Sequence, residues 1–186
     1  MSFAETAKAT EKATASLVAA TGANETLSIT GDYTVECVGA DGQVKWTEEI
    51  KNLVVTVGKN FMLDTTFSGT TYSAAWYLGL VDGTSSPTYN AADIMSSHAG
   101  WSEFTSYSNA TRPAPTWGSA SSGSKATTAT AFNINGSGTV AGAFMTTDNT
   151  ISGTTGTLYS AGNFTGGSRT VASGDTLNVT YTATLT

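Results

Sequence analysis

The chain has 186 residues, of which only 12% are charged, and its 8 Lys and Arg against 14 Asp and Glu give a net charge of -6. An acidic chain without a cluster of Lys and Arg is not expected to bind nucleic acid, because phosphate binding depends on clustered cations. The single Cys excludes an intramolecular disulfide. The sequence contains no run of about 18 apolar residues, which a transmembrane helix would need, so we expect no membrane partner.

The first 26 residues predict an arm that lies outside the main domain. Residues 4–20 are rich in Ala, Glu and Lys, which favour a helix, and Phe3 and Leu17 belong to a weak apolar stripe along it. The opening residues lack the charged-then-apolar order of a secretory signal, so we expect the protein to be made and folded in a cytoplasm. We expect an arm over residues 1–26, helical or extended, and one β domain over residues 27–186. A frayed terminus is the alternative for the arm.

A β-hairpin is predicted around Asp41-Gly42, a dipeptide that favours a tight type I′ turn between two strands. A two-residue turn at this position gives the cross-strand pairs Tyr33–Ile50, Val35–Glu48 and Cys37–Trp46. With this register most apolar residues share one face of the hairpin and the polar residues share the other, as a half-buried sheet requires. Glu48 interrupts the apolar face, so we expect a β-bulge near Glu48-Glu49.

The rest of the chain predicts one or two short helices and a series of short strands. A helix is predicted over residues 59–67, a strand buried on both faces over residues 74–81, and two helical turns over residues 91–98. Further strand-sized segments are 103–108, 116–120, 127–134, 139–146, 157–164 and 176–185. Short strands at this spacing, with Gly-containing turns between them, predict an all-β fold, a β-sandwich of the jelly-roll or immunoglobulin-like type.

Few residues are available for catalysis or metal binding. His98 is the only histidine and lies in a polar stretch without a nucleophile motif, which indicates a turn or surface position. Cys37 falls on the apolar face of the predicted hairpin and is expected to be a buried structural residue. The Gly-x-Gly string within residues 135–142 has no helical pattern after it, so it predicts a hairpin turn rather than a nucleotide site. We therefore expect no enzymatic activity, no metal and no cofactor.

The four tryptophans divide into two groups by their sequence context. Trp46 and Trp76 lie in apolar, strand-like segments and are expected in the core. Trp101 and Trp117 lie in polar, loop-like contexts, so both an interface position and a core position stay open for them. Arg112 and the prolines after it predict a rigid, extended loop that contacts a neighbouring subunit. The candidate interface residues are Phe3, Leu17, Trp101, Arg112, Pro113 and Trp117.

Several motifs resemble those of proteins of tailed bacteriophages. The first is residues 39–54, Gly-Ala-Asp-Gly-Gln-Val-Lys-Trp-Thr-Glu-Glu-Ile-Lys-Asn-Leu-Val. The others are Gly58-Lys59-Asn60 with Leu63-Asp64, Trp76-Tyr77-Leu78-Gly79-Leu80, His98-Ala99-Gly100-Trp101-Ser102-Glu103, Arg112-Pro113, Val140-Ala141-Gly142-Ala143-Phe144 and Ala172-Ser173-Gly174-Asp175-Thr176-Leu177-Asn178-Val179. The similarity covers roughly residues 30–186 and leaves out the first 26. It implies a virion component, similar to the cement or decoration proteins of capsids and to fibre-like proteins.

The first functional expectation is a capsid cement or decoration protein, made in the host cytoplasm and located on the capsid exterior of the virion. It would bind the assembled shell and bridge neighbouring major capsid subunits, with the arm becoming ordered on docking. Its expected partners are the major capsid protein and copies of itself, as a trimer or dimer. The alternative is a tail or head-fibre component that binds host-surface glycans through an aromatic cleft involving Trp101 and Trp117. An enzyme such as a virion-borne depolymerase is disfavoured by the scarcity of His and Cys.

Overall fold

A computed structural model of the protein describes residues 27–67 and 75–186. Two antiparallel sheets pack against each other, which confirms the prediction of an all-β sandwich. One helix accompanies the sheets in the described part of the chain. The predicted arm over residues 1–26, with its interface candidates Phe3 and Leu17, lies outside the described residues.

The two sheets are built from strands that are distant in the sequence. In chain order the elements are β1 (Ile29–Val38), β2 (Val44–Lys51), β3 (Leu53–Val54), α1 (Thr56–Phe67), β4 (Tyr77–Asp82), β5 (Glu103–Phe104), β6 (Ser124–Ala126), β7 (Thr130–Asn133), β8 (Gly138–Thr146), β9 (Leu158–Asn163), β10 (Arg169–Val171) and β11 (Thr176–Leu185). Sheet A has the order β2-β1-β11-β6, and β7 also pairs with β11. Sheet B has the order β3-β9-β8-β4-β5, and β10 also pairs with β8. The centre of sheet A is therefore β11, and the centre of sheet B is β8.

The β1–β2 hairpin has the predicted register. The observed pairs include Tyr33–Ile50, Val35–Glu48 and Cys37–Trp46. The chain turns through Gly42 with a φ of 78°, a conformation that glycine adopts without strain. The bulge predicted near Glu48-Glu49 is wrong, because the register shifts beside the turn, after Cys37. Glu48 stays in register because Arg169 and the N–H of Gly166 donate hydrogen bonds to its buried carboxylate.

Most of the longer predicted elements are confirmed. The strand predicted over residues 176–185 is β11 with the same bounds, and the strands predicted over 139–146 and 157–164 correspond to β8 and β9. The helix predicted from residue 59 begins three residues earlier, at Thr56, and ends at Phe67 as expected. Long alternating or apolar segments therefore predict their structure well in this chain.

Shorter elements are less well predicted. The helical turns expected over residues 91–98 are wrong, because the side chains of Asn90 and Asp93 accept hydrogen bonds from local backbone N–H groups and hold turns instead. The strand expected over residues 116–120 is reduced to a single bridge between Trp117 and Thr127. The two- and three-residue strands β3, β6 and β10 have too few residues to give a periodic signal.

The inner core lies between the two sheets and is filled by alternate residues of their strands. From β1 and β11 it receives Tyr33, Val35, Cys37, Leu177, Val179 and Tyr181, all fully buried. The hydroxyl groups of Tyr33 on β1 and Ser160 on β9 are joined by a hydrogen bond of 2.8 Å. This bond connects sheet A to sheet B through the core and satisfies two polar groups that burial would otherwise penalise.

Sheet B is also buried on its second face, which explains the continuous apolar character of β4 and β8. The chain between β4 and β5 crosses this face and brings Met95 and Trp101 into a cluster with Phe144 of β8. The rings of Trp101 and Phe144 lie 5.0 Å apart. A smaller outer core therefore covers the side of sheet B that faces away from sheet A.

Candidate docking groove

A groove of about 370 Å³ lies between α1 and the two sheets. A smaller hollow of about 230 Å³ adjoins it, since Met62 and Thr66 line both. We name the two together the docking groove. The walls of its larger part include Phe61, Trp76, Trp117, Tyr159 and Tyr181, and those of its smaller part include Leu27, Ile29, Leu63, Phe67 and Leu185.

The position of α1 creates the groove. Gly58 in the first turn of the helix lies so close to β9 that a Cβ atom there would be 2.5 Å from the carbonyl oxygen of Tyr159. Gly58 is also the one buried residue of α1. The backbone of the helix therefore approaches sheet B most closely at its first turn, and Met62 in the second turn contacts Tyr159, while Leu63 and Phe67 stay exposed.

One wall of the groove is a row of aromatic rings in contact with one another. Trp76 makes edge contacts with Phe61 at 5.3 Å and with Tyr159 at 5.2 Å between ring centroids. Tyr181 continues the chain, with Tyr159 at 6.2 Å on one side and Trp117 at 6.1 Å on the other. Edge-to-face pairs of this kind hold rings in fixed orientations, so the wall is preformed.

The groove surface is almost free of charge. Burial raises the pKa of Tyr181, and burial and the neighbouring Tyr181 raise that of Tyr159, so both phenols stay neutral at physiological pH. Among the described lining residues only Lys59 and Lys125 carry charge. The ammonium of Lys125 lies over the ring of Trp117, 6.0 Å from its centroid, and donates a hydrogen bond of 2.8 Å to the carbonyl of Gly118.

The rim of the smaller hollow exposes large apolar side chains to solvent. The exposed fractions are 69% for Leu27, 48% for Leu63, 75% for Phe67 and 44% for Leu185. These four residues come from three separate parts of the chain and line one hollow. Exposed apolar side chains grouped in this way make the hollow a candidate interaction site.

Two of the candidate interface residues lie partly exposed. Trp117 forms part of the docking groove, where Tyr181 packs against it, and is half-buried. Pro113 is half-buried as well, and its carbonyl accepts a hydrogen bond of 2.9 Å from the N–H of Leu78 on β4. The extended loop predicted around Pro113 therefore lies along sheet B, and Trp117 is the described candidate that the structure brings into a groove.

Trp101, in contrast, belongs to the outer core. Its side chain is buried and stacks on His98 with 3.9 Å between ring centroids. The indole N–H donates a hydrogen bond of 3.2 Å to Asp93. Trp101 and Trp117 line separate cavities, so the aromatic cleft expected from this pair of residues is wrong. The chain that covers sheet B encloses Trp101 and not Trp117.

Arg112 is also buried, which corrects the expectation of an exposed contact residue. Its guanidinium forms an ion pair with Glu103 of β5, and the side chain is not exposed on the surface of the loop. The backbone carbonyl groups of Asp148 and Gly153 take its remaining hydrogen bonds. Arg112 therefore holds loops of its own chain together instead of offering a charge to a partner.

Cys37 is fully buried, as predicted. Burial, followed by the nearby negative charge of Asp175, raises the pKa of the Cys37 thiol to about 11. A thiol with so high a pKa holds very little thiolate at neutral pH, so Cys37 has the properties of a structural residue and not of a nucleophile. Among residues 27–67 and 75–186, no three side chains of His, Cys, Asp or Glu cluster as metal ligands.

Several groove residues were not recognised as site candidates in the sequence. The sequence places Phe61, Leu63 and Phe67 in a helix and Trp76 in the core, because bulky apolar residues have the same pattern in a core as in a groove. The signal present in the sequence is the number of large apolar residues in this helix. The structure buries only Gly58 of α1, so most of those apolar residues are left for the groove.

Comparisons with known proteins add no family assignment. No protein-family model matches the chain, and no curated protein matches it significantly. No helix in the described ranges is both long and apolar enough to cross a bilayer.

Proposed function

We propose that the protein is a capsid cement or decoration protein of a tailed bacteriophage, which binds the exterior of the assembled shell and bridges neighbouring major capsid subunits. The docking groove, an apolar and aromatic surface left open in a folded domain, is the observation that carries the proposal. The resemblance of residues 30–186 to phage proteins supplies the virion as its setting.

The chemistry of the docking groove fits a protein partner. The centres of protein interfaces are poor in charged residues and rich in aromatic ones. Trp76, Trp117 and Phe67 supply the aromatic surface, and the lysines lie among them as the charged lining residues. An apolar segment of a capsid subunit that enters the groove would bury the exposed rim together with these rings.

The rigidity of the body suits a bridging role. The bond between Tyr33 and Ser160 connects the two sheets, and the buried pair of Arg112 and Glu103 fixes the loops at one side of sheet B. A closely packed interior transmits force with little deformation. Repeated at many symmetry-related positions on a shell, modest contacts by such a body add up to a large stabilisation of the particle.

Glycan binding by a tail or head fibre is the second candidate. The observation that favours it is the pair of tryptophans, Trp76 and Trp117, in one groove, since flat aromatic rings stack on sugar faces. A fibre component would be present in a dozen copies or fewer per virion, and a glycan array would identify its ligand. If the protein binds no glycan on the array, this role is excluded.

The first experiment is a count of copies in purified virions by quantitative mass spectrometry. A cement or decoration protein is expected in hundreds of copies per particle, in a fixed ratio to the major capsid protein. A count near that of tail components would overturn the proposal. Sedimentation of the purified free protein, in a separate experiment, measures whether it forms the dimer or trimer that is expected from the sequence.

The second experiment measures binding of the purified protein to shells that lack it. Trp117→Ala is expected to weaken binding by about 30-fold, because truncation of an aromatic anchor at an interface costs about 2 kcal/mol. Phe67→Asp places a charge on the rim and should weaken binding as well. Thr47→Asp, on the exposed face of β2, is the matched control and should bind as the wild type does. If all three variants bound equally well, the docking groove would not be part of the contact with the shell.

A further inference from the structure

We propose that Asn135 is a site of spontaneous deamidation in the folded protein, and that the isoaspartate formed there weakens the connection between the two sheets. The reaction needs only water, so it does not depend on the proposed function. The turn that contains Asn135 differs from the other turns of its type in the hydrogen bonds around its glycine.

Deamidation requires an asparagine followed by a small residue. The backbone nitrogen of the next residue attacks the side-chain carbonyl carbon of the asparagine, and a side chain on that next residue hinders the approach. Asn135 is the only asparagine of the chain that precedes a glycine. The other asparagines precede Glu, Leu, Phe, Ala, Ile, Thr or Val. The chain therefore offers one position where the attack is unhindered.

The structure places this position on the surface, in the short connection between β7 and β8. β7 ends at Asn133, and β8 begins at Gly138. Asn135 is exposed, and its side-chain amide has no hydrogen-bond partner among the residues that the structure describes. The amide can therefore turn toward the backbone without breaking a bond, and water can reach it.

The backbone N–H of Gly136 is available for the reaction as well. The two preceding N–H groups are held, since Ile134 donates a hydrogen bond of 2.9 Å to the carbonyl of Asp175. Asn135 likewise donates one of 3.2 Å to the carbonyl of Ser106. The N–H of Gly136 has no acceptor within residues 27–67 and 75–186. A nitrogen without a hydrogen bond avoids the free energy of releasing one before it attacks.

Two other turns with a glycine after a short polar residue show the protected arrangement. In Asp41-Gly42 the glycine N–H donates a hydrogen bond of 2.9 Å to the carbonyl of Gly39, and in Asp82-Gly83 it donates one of 2.9 Å to that of Thr139. Each aspartate side chain also accepts a hydrogen bond from the backbone N–H two residues farther along. Both turns must break these bonds before the same ring can close.

The chemical step balances with water as the only co-reactant. The nitrogen of Gly136 forms a bond to Cγ of Asn135, its proton passes to water, and the side-chain nitrogen leaves as ammonia. Water then opens the cyclic succinimide without any transfer of electrons to another molecule. Attack of water at Cγ gives aspartate, and attack at the main-chain carbonyl gives isoaspartate. Either product makes the net charge of -6 more negative by one.

Isoaspartate changes the path of the chain from one sheet to the other. β7 belongs to sheet A and β8 to sheet B. The main chain of isoaspartate runs through the side-chain carbon atoms and is one atom longer than that of aspartate. The carbonyl of Ile134 accepts a hydrogen bond of 2.9 Å from Gly174, directly before the altered residue. In so short a connection the additional atom must displace this bond or that of Asn135 with Ser106.

Deamidation is tested by storing the folded full-length protein at physiological temperature and mildly alkaline pH. Peptide mass spectrometry follows every asparagine, and an isoaspartyl methyltransferase labels isoaspartate. Asn135 should react first, at a rate within about tenfold of that in guanidinium chloride, because local opening of an exposed connection costs little free energy. Asn109 is the internal control and should stay intact, since its amide binds the backbone of β7. A slower rate, or another asparagine that reacts first, would overturn the site.

The effect on the fold is tested by urea unfolding of stored wild type, fresh wild type and fresh Asn135→Asp. The variant has the new charge with an ordinary main chain, so it should unfold at nearly the same urea concentration as fresh wild type. Stored wild type should contain a fraction, equal to its isoaspartate content, that unfolds at lower urea concentration. Stored Asn135→Gln should lack this fraction, because glutamine would have to close a larger ring. If stored wild type unfolded as Asn135→Asp does, isoaspartate would not weaken the connection.

Discussion

Arg112 and Glu103 are joined by two parallel hydrogen bonds, from Nε to Oε1 at 2.9 Å and from Nη2 to Oε2 at 2.8 Å, in a position that leaves Arg112 1% exposed. The guanidinium also lies 5.2 Å from the ring centroid of Phe144. The pair connects β5 to the loop before Trp117 and, through further bonds to carbonyl groups, to the loop after β8. The N–H of Ser152 also donates a hydrogen bond of 2.7 Å to Glu103, and the N–H of Arg112 donates one of 2.8 Å to the carbonyl of Asn149, so the pair lies at the centre of the contacts between these loops.

Removal of Arg112 is expected to destabilise the fold strongly. In Arg112→Met the carboxylate of Glu103 remains buried without its partner, which costs about 3–5 kcal/mol in the free energy of unfolding. The control is Lys51→Met, whose ion pair with Asp32 is largely exposed and is worth less than about 1 kcal/mol. Urea unfolding followed by circular dichroism measures both variants. Losses of equal size would contradict the structural role of Arg112.

Gly79 on β4 is expected to tolerate no larger residue. A Cβ atom at this position would collide with the ring of Phe144, which pairs with Gly79 across the strands. Gly79→Ala should therefore lower the free energy of unfolding by about 1–3 kcal/mol, the usual cost of overpacking. At Gly118 the nearest atom to an added Cβ is 3.4 Å away, so Gly118→Ala serves as the control and should be close to neutral. A neutral Gly79→Ala would show that Phe144 can move aside.

Asp175 should make the stability of the protein depend on acid pH. Burial alone would raise the pKa of Asp175, but hydrogen bonds from the ammonium of Lys45 at 2.7 Å and the N–H of Ala172 at 2.9 Å outweigh burial and lower it. A carboxyl with a lowered pKa in the folded state stabilises the protein above its unfolded pKa of about 3.9. That contribution is lost as the pH falls through the folded value.

The measurement is urea unfolding of wild type and Asp175→Asn between about pH 5 and pH 2. The wild type should lose stability faster than the variant over this interval, because the variant has no carboxyl at this position to protonate. At neutral pH the variant should be the less stable of the two. Parallel pH curves for the two proteins would mean that the bond between Lys45 and Asp175 has no net effect on folding.

Cys37 should react only when the protein unfolds. Its side chain is fully buried, and its pKa of about 11 leaves almost no thiolate at pH 8. Iodoacetamide is therefore expected to label Cys37 slowly in native protein and rapidly in concentrated urea, as followed by the mass of the intact chain. Rapid labelling without denaturant would indicate that β1 separates from its neighbours in the folded state.

The sequence predicts the parts of the fold that repeat with a local period. The alternation of β11 and the turn at Asp41-Gly42 each determine a strand or a register without reference to distant residues. The sequence predicts a bulge at the buried Glu48, which is wrong, because its partner Arg169 lies 121 residues away and no local pattern indicates the pair. The fold class follows from local signals, and the pairing of buried charges does not.

The docking groove lies beyond such prediction for the same reason. Its width depends on the contact of Gly58 with β9, between segments that share no sequence pattern. Trp101 and Trp117 have similar polar neighbours, yet one is enclosed by the chain that crosses sheet B and the other is left half-exposed. Burial of a single aromatic residue is decided by how distant segments pack, which periodicity does not report.

The central place of β11 in sheet A also governs how the molecule forms. The strand pairs with β1 on one side and with β6 and β7 on the other, and β1 is the first strand of the described chain. The β1–β2 hairpin can assemble early from neighbouring residues, but the free edge of β1 has no partner until β11 is made, and the inner face of the hairpin stays uncovered until sheet B forms. Contacts between such remote segments make folding slow. During that delay the apolar side of the hairpin is open to other chains, so synthesis at high concentration favours aggregation over correct closure.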